Sequence, residues 1–186
     1  MYEIELKAHV YERQNVIEKL NSWAEFIGTC HKIDTYWKHS ASGIQIRLRQ
    51  EQVLEPIKSS AELIVTYKRK ALKEGEDGAA FEVNEEHEFT ISNRIPFECF
   101  LSDAGFFVEL TKEKKVSQWR YENALLELCS VPPLGDFLEI EIMTETQTSY
   151  DVALVHKKQL ELLKKSGLSR DNIEPRYYSE MLKKGT

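Results

Sequence analysis

The chain has 186 residues, of which 41% are hydrophobic, 10% aromatic and 30% charged, and its net charge is −6. These are the values of one globular domain spanning 1–186, with enough chain to bury a core and no basic footprint for a nucleic-acid partner. No run approaches the roughly 20 apolar residues of a membrane helix, so no membrane partner is expected. The opening Met1-Tyr2-Glu3-Ile4-Glu5 is acidic and alternating, unlike a signal peptide, and three cysteines without close spacing do not make a disulfide framework. The expected compartment is therefore the cytoplasm.

In chain order, Tyr2 to Val10 reads as a strand. Val16, Leu20, Trp23 and Ile27 recur at helical spacing, with Gly28 placed as a C-cap glycine. Thr29–His39, Gly43–Gln50, Leu63–Ala71 and Phe81–Ile91 read as further strands. Ser92 or Asn93 caps a short helix that carries Pro96 in its first turn and ends before Gly105. Strands are then expected over Phe106–Gln118, Trp119–Cys129 and Asp136–Thr144. From Tyr150 the period becomes helical, and Gly167 separates two helices. About eight strands joined mostly by short turns imply an α+β chain: an eight-stranded antiparallel β-barrel with helices packed outside.

The strands carry charge on an alternating period. Glu3, Glu5 and Lys7 share one face of the first strand, opposite Ile4 and Leu6. Arg47 and Arg49 share a face, as do Lys68 and Lys70, Glu86 and Glu88, Lys112 and Lys114, and Glu139 and Glu141. A half-exposed sheet would place such charges in water. Repeated like charges two residues apart repel, however, and their recurrence in six strands with both signs fits a face built around a ligand. With the charges inward, the lumen is polar and the apolar outer face is covered by helices. Carboxylates suit Mg²⁺ or Mn²⁺, and arginine and lysine suit phosphate. Neither Gly-x-x-x-x-Gly-Lys nor Gly-x-Gly-x-x-Gly occurs, so side chains must supply the phosphate contacts.

These residues, in this order, resemble the CYTH family, the triphosphate tunnel metalloenzymes, and within it class IV adenylate cyclases. Glu3, Glu5 and Lys7 resemble its opening Glu-x-Glu-x-Lys, and Asp34-Thr35-Tyr36 its Asp-x-Tyr. Arg47 with Arg49, Lys68, and Glu86 with Glu88 fall on its central strands. Leu134-Gly135-Asp136-Phe137-Leu138-Glu139-Ile140-Glu141 is similar to its last strand, and Arg176-Tyr177-Tyr178-Ser179-Glu180-Met181-Leu182 to its tail.

The resemblance implies a tunnel in which Glu3, Glu5, Glu139 and Glu141 hold Mg²⁺ or Mn²⁺. Glu3, Glu5, Lys7 and Tyr36 become the expected catalytic set. Arg47, Arg49, Lys68, Glu86, Lys114 and Arg120 become the expected substrate-binding set. The implied partner is a small-molecule triphosphate, ATP or tripolyphosphate, and a homodimer is compatible with the resemblance. The implied activity is adenylate cyclase, with an inorganic or thiamine triphosphatase and a non-catalytic binder as alternatives. Two positions depart from the family pattern: Val116 stands where an arginine is usual, and Cys129 where an aspartate is usual. The expectation is a lumen short of one cation and one carboxylate, hence a slow enzyme, with Arg120 the candidate replacement for the cation.

Overall fold

A computed structural model describes residues 2–56, 61–74, 80–145 and 148–183; the side chains of 68–74, 80–86 and 149–150 lie outside the described residues. The order is β1 (Tyr2–Val10), α1 (Arg13–Asn21), β2 (Glu25–His39), β3 (Gln45–Glu55), β4 (Glu62–Glu74), β5 (Ala80–Thr90), α2 (Arg94–Asp103), β6 (Phe106–Tyr121), β7 (Ala124–Val131), β8 (Gly135–Thr144), α3 (Ser149–Lys165), a 3-10 turn (Arg170–Asn172) and α4 (Tyr178–Lys183). The strands close a barrel in the order β1-β5-β4-β3-β2-β6-β7-β8, and every neighbouring pair is antiparallel. The architecture read from the sequence is the one that forms. Closure sets the first strand beside the last, with Glu5 opposite Glu141 and Lys7 opposite Glu139.

The outward faces make the main core. Leu6, Ala8 and Val10 of β1, Leu126 and Leu128 of β7, and Leu138, Ile140 and Ile142 of β8 pack against Val16 and Leu20 of α1 and Leu162 and Leu163 of α3. Each such side chain fully buried contributes about 1.5–3 kcal/mol, which holds the helices on the outside and leaves the lumen to the alternate residues. Gln159 fixes α3 in place: its buried amide donates to the carbonyls of Ile4 at 2.7 Å and Ile140 at 2.9 Å.

Two local readings change. Helix α1 stops at Asn21, and Gly28 lies within β2 beside a register shift, not at a helix end. Its φ is +149°, and a Cβ there would lie 2.2 Å from the Glu55 carbonyl oxygen, so the glycine is required by close backbone approach. Strand β6 continues through Trp119 to Tyr121, and the β6–β7 turn is Glu122-Asn123, with Glu122 at φ 52°. Cys99 is exposed, whereas Cys30 and Cys129 are buried. Asn93 caps α2 as expected, accepting from the Ile95 amide at 3.1 Å.

Candidate active site in the barrel lumen

Alternation carries one side chain in two from every strand toward the barrel axis. Glu3, Glu5, Lys7, Tyr36, Arg47, Arg49, Lys114, Glu139 and Glu141 all line one cavity of about 250 Å³. Lys32, Gln45, Thr66, Glu88, Lys112, Gln118 and Glu127 line it too, with Tyr177 and Tyr178 from the C-terminal segment. Lys68 and Glu86 face each other in the β4–β5 register, but their side chains lie outside the described residues. Arg120, at the end of β6, is exposed and is not among the lining side chains.

The lumen is organised as linked ion pairs. Asp34, fully buried, accepts from Arg49 Nε at 2.6 Å and Nη2 at 3.0 Å, and from the other side pairs with Lys112 at 3.2 Å. Burial opposes its charge, yet Arg49 and Lys112 hold its carboxyl well below the usual range. Lys114 donates to Glu139 at 2.7 Å and to Glu127 at 3.1 Å, and its Nζ lies 3.5 Å from the Cys129 sulfur. Against the cost of burial, the Lys114 ammonium draws Glu139 down to about 2. Arg47 donates to Thr66 at 2.9 Å and Glu88 at 3.0 Å. Lys7 and Lys112 each place Nζ 4.6 Å from the centre of the buried Tyr178 ring, so α4 contributes an aromatic face to two cations.

Glu141 is in the opposite situation. Burial first, then the neighbouring charges of Glu3, Glu127 and Glu5, push its carboxyl well above the usual range. Carboxylates crowded in this way are a donor set for a hard divalent cation, which neutralises them and accepts their oxygens. Glu141, with Glu3, Glu5 and Glu127 around it, is therefore the part of the lumen whose negative charge a divalent cation would neutralise. Glu139 is nearer to Lys114 and is balanced by it. Among the described residues, the group whose potential ligand atoms lie within 4.8 Å of one another is Glu127, Cys129 and Glu139, and Lys114 already occupies it with an ammonium.

Lys32 and Glu127 are the charged lining residues, among those described, that the sequence reading did not single out, and they bear on the two departures. Val116 and Cys129 belong to a buried apolar strip with Cys30, Val131 and Phe137, packed against Tyr178 and Met181. Two residues along the same faces, Lys32 follows Cys30 and Glu127 precedes Cys129, and these two form an ion pair at 2.7 Å. The wall that lacks charge at 116 and 129 thus carries a cation and a carboxylate one step away. Lone Glu127 in the apolar segment Ala-Leu-Leu-Glu-Leu-Cys-Ser-Val was the available signal, because a carboxylate on a doubly covered strand must be paired. Trp119 is buried in the outer core, with its indole N–H donating to Asn21 Oδ1 at 2.8 Å.

Solved structures share this architecture. The PH1819 protein from Pyrococcus horikoshii OT3 aligns over 99% of both chains with a TM-score of 0.82 at 23% identity. A Vibrio parahaemolyticus protein, assigned provisionally as an adenylate cyclase, aligns over 98% of both with a TM-score of 0.77 at 16% identity. HpAC1 from Hippeastrum, described as having a dominant triphosphatase activity, covers 100% of this chain and 96% of its own with a TM-score of 0.68 at 17% identity. No curated protein matches the sequence. The model of the CYTH domain matches residues 1–178, nearly the whole chain, with all eight strands of the barrel, and the chain belongs to the CYTH domain family.

Proposed function

We propose that the lumen binds a triphosphate together with Mg²⁺ or Mn²⁺ and that the protein is a metal-dependent enzyme acting on it, most specifically an adenylate cyclase. The observation that carries this reading is the pairing of two unlike charge sets in one cavity. Arg47, Arg49, Lys32, Lys112 and Lys114 stand on one part of its wall, and the crowded Glu3, Glu5 and Glu141 on another. Arginine and lysine take phosphate oxygens by charge-assisted hydrogen bonds, and the carboxylates hold the cation that accompanies them.

In cyclisation the ribose 3′-hydroxyl of ATP attacks the α-phosphorus. The new P–O bond forms as the α–β bridging bond breaks, pyrophosphate leaves with the electron pair, and the hydroxyl proton passes to water. A bound divalent cation would neutralise phosphate charge and lower the pKa of a coordinated hydroxyl. Arg49, held rigidly by Asp34, and Arg47, held by Thr66 and Glu88, would stabilise charge on the leaving pyrophosphate without reorganising. Lys7 and Tyr36 would position the chain of phosphates. Catalysis of this kind needs alignment and a fixed field, and no covalent nucleophile.

A second reading, hydrolysis of inorganic tripolyphosphate, is favoured by the lining itself. It is almost wholly charged or hydrogen-bonding, with Leu125 as its one aliphatic member among the described residues. Such a wall grips phosphate, and the rings of Tyr36, Tyr177 and Tyr178 are its aromatic surface for a nucleobase. Incubating the purified protein with Mg²⁺ or Mn²⁺ and either ATP or tripolyphosphate, and measuring cyclic AMP and orthophosphate separately, decides between them. Cyclic AMP formed with equimolar pyrophosphate supports the cyclase, and orthophosphate from tripolyphosphate supports the hydrolase. Neither product from either compound would leave a non-catalytic binder.

A further inference from the structure

We infer that Lys32 is a triphosphate-binding cation of this lumen and that Glu127 is its resident counter-ion, displaced when a ligand phosphate enters. The inference rests on the reading of the lumen as a triphosphate site. Lys32 and Lys114 are direct cross-strand partners on β2 and β6, and both are buried. Like charges opposed on one face repel, and taking them out of water adds a further cost. Among the described residues, Glu127 is the carboxylate that touches both, at 2.7 Å from Lys32 and 3.1 Å from Lys114.

The Glu127 carboxylate is also bound the way an anionic ligand would be. Its Oε1 accepts from Lys32 and from the Gln118 amide, each at 2.7 Å, and its Oε2 accepts from Lys114. Three N–H donors from two strands therefore converge on one anionic group inside the cavity they line. A phosphoryl group presents the same oxygens with more charge. Lys114 keeps Glu139 at 2.7 Å when Glu127 withdraws, whereas the next carboxylate to Lys32 is Glu51, at 3.7 Å. Lys32 is thus the cation that gains most from an incoming anion.

A merely structural ion pair predicts that removing either partner harms the site alike. A cation with a displaceable counter-ion predicts opposite signs. The experiment is calorimetric titration of tripolyphosphate at saturating Mn²⁺ into the wild type, Lys32→Met, Glu127→Gln and the double variant, with circular dichroism melts on the same samples. Lys32→Met should bind about tenfold or more weakly, the loss of one charge-assisted hydrogen bond. Glu127→Gln should bind about tenfold more tightly, since the competing anion is gone, and the double variant should return toward the wild type. Should Glu127→Gln fail to fold, the same sign is read from Lys32→Met against the double variant, where the added Glu127→Gln tightens binding. Equal weakening by both single changes, or an unchanged Lys32→Met, overturns the inference while leaving the triphosphate reading in place. A wild type that does not bind tripolyphosphate overturns both.

Discussion

Val116 and Cys129 stand directly opposite each other on β6 and β7, and both are fully buried. The two positions are therefore coupled: an ion pair and an apolar pair are alternatives at this place, and either half alone is costly. Val116→Arg buries a cation beside a thiol that burial already pushes well above its ordinary pKa, so the thiol offers no counter-charge. Each of Val116→Arg and Cys129→Asp alone should lose on the order of 3 kcal/mol of stability. The double variant should lose less than the sum by at least about 1 kcal/mol, as urea unfolding of the four proteins would read. Strict additivity would mean that the new charges find other partners, such as Glu127 or Lys114.

The metal-side carboxylates should separate by stability. Glu141 is crowded by Glu3, Glu127 and Glu5, so Glu141→Gln should raise the thermal midpoint in the absence of metal and shrink the rise produced by Mn²⁺. Glu139 is balanced by Lys114, so Glu139→Gln should lower the midpoint, with a stability loss of about 1–3 kcal/mol, leaving Lys114 to Glu127. Scanning fluorimetry with and without Mn²⁺ reads both. Identical responses would contradict the division of the lumen into a crowded and a balanced set.

Much of this was legible because a strand's period is two. Glu3, Glu5, Arg47, Arg49, Glu139 and Glu141 advertise one face by repeating a charge, and closure of the barrel then brings them together. Lys32 and Glu127 repeat nothing: their same-face neighbours are Cys30 and Asp34, and Leu125 and Cys129. Their pairing depends on β2 and β7 each flanking β6, a long-range fact that no local pattern carries. Gly28 was misplaced for a related reason, since its need for glycine comes from the Glu55 carbonyl, 27 positions away in 28-to-55 numbering, and not from its own helix-like neighbourhood.

Acid should loosen the C-terminal segment over a defined window. Arg176 donates to Glu174 at 2.8 Å, His9 lies 3.0 Å from the same carboxylate, and together, Arg176 foremost, they bring Glu174 down to about 2 from 4.5. A depressed carboxylate contributes stability that is complete above its unfolded pKa and lost as the pH falls through the folded one. The window is therefore pH 4.5 to about 2. Because Arg176 is half exposed, the amount is on the order of 1–2 kcal/mol. Glu174→Gln should flatten the dependence of the thermal midpoint on pH across that window. An unchanged slope would assign acid sensitivity to the lumen pairs instead.

The central claim is that one lumen holds metal and triphosphate on opposing charge sets. Anomalous diffraction from crystals soaked with Mn²⁺ and tripolyphosphate tests it most directly. The account predicts a manganese peak within coordination distance of Glu3, Glu5 and Glu141, with phosphate density against Arg47, Arg49 and Lys114. Manganese confined to the outer surface, or a lumen that excludes the anion while Asp34, Glu127 and Glu139 keep their lysines and arginine, would contradict it.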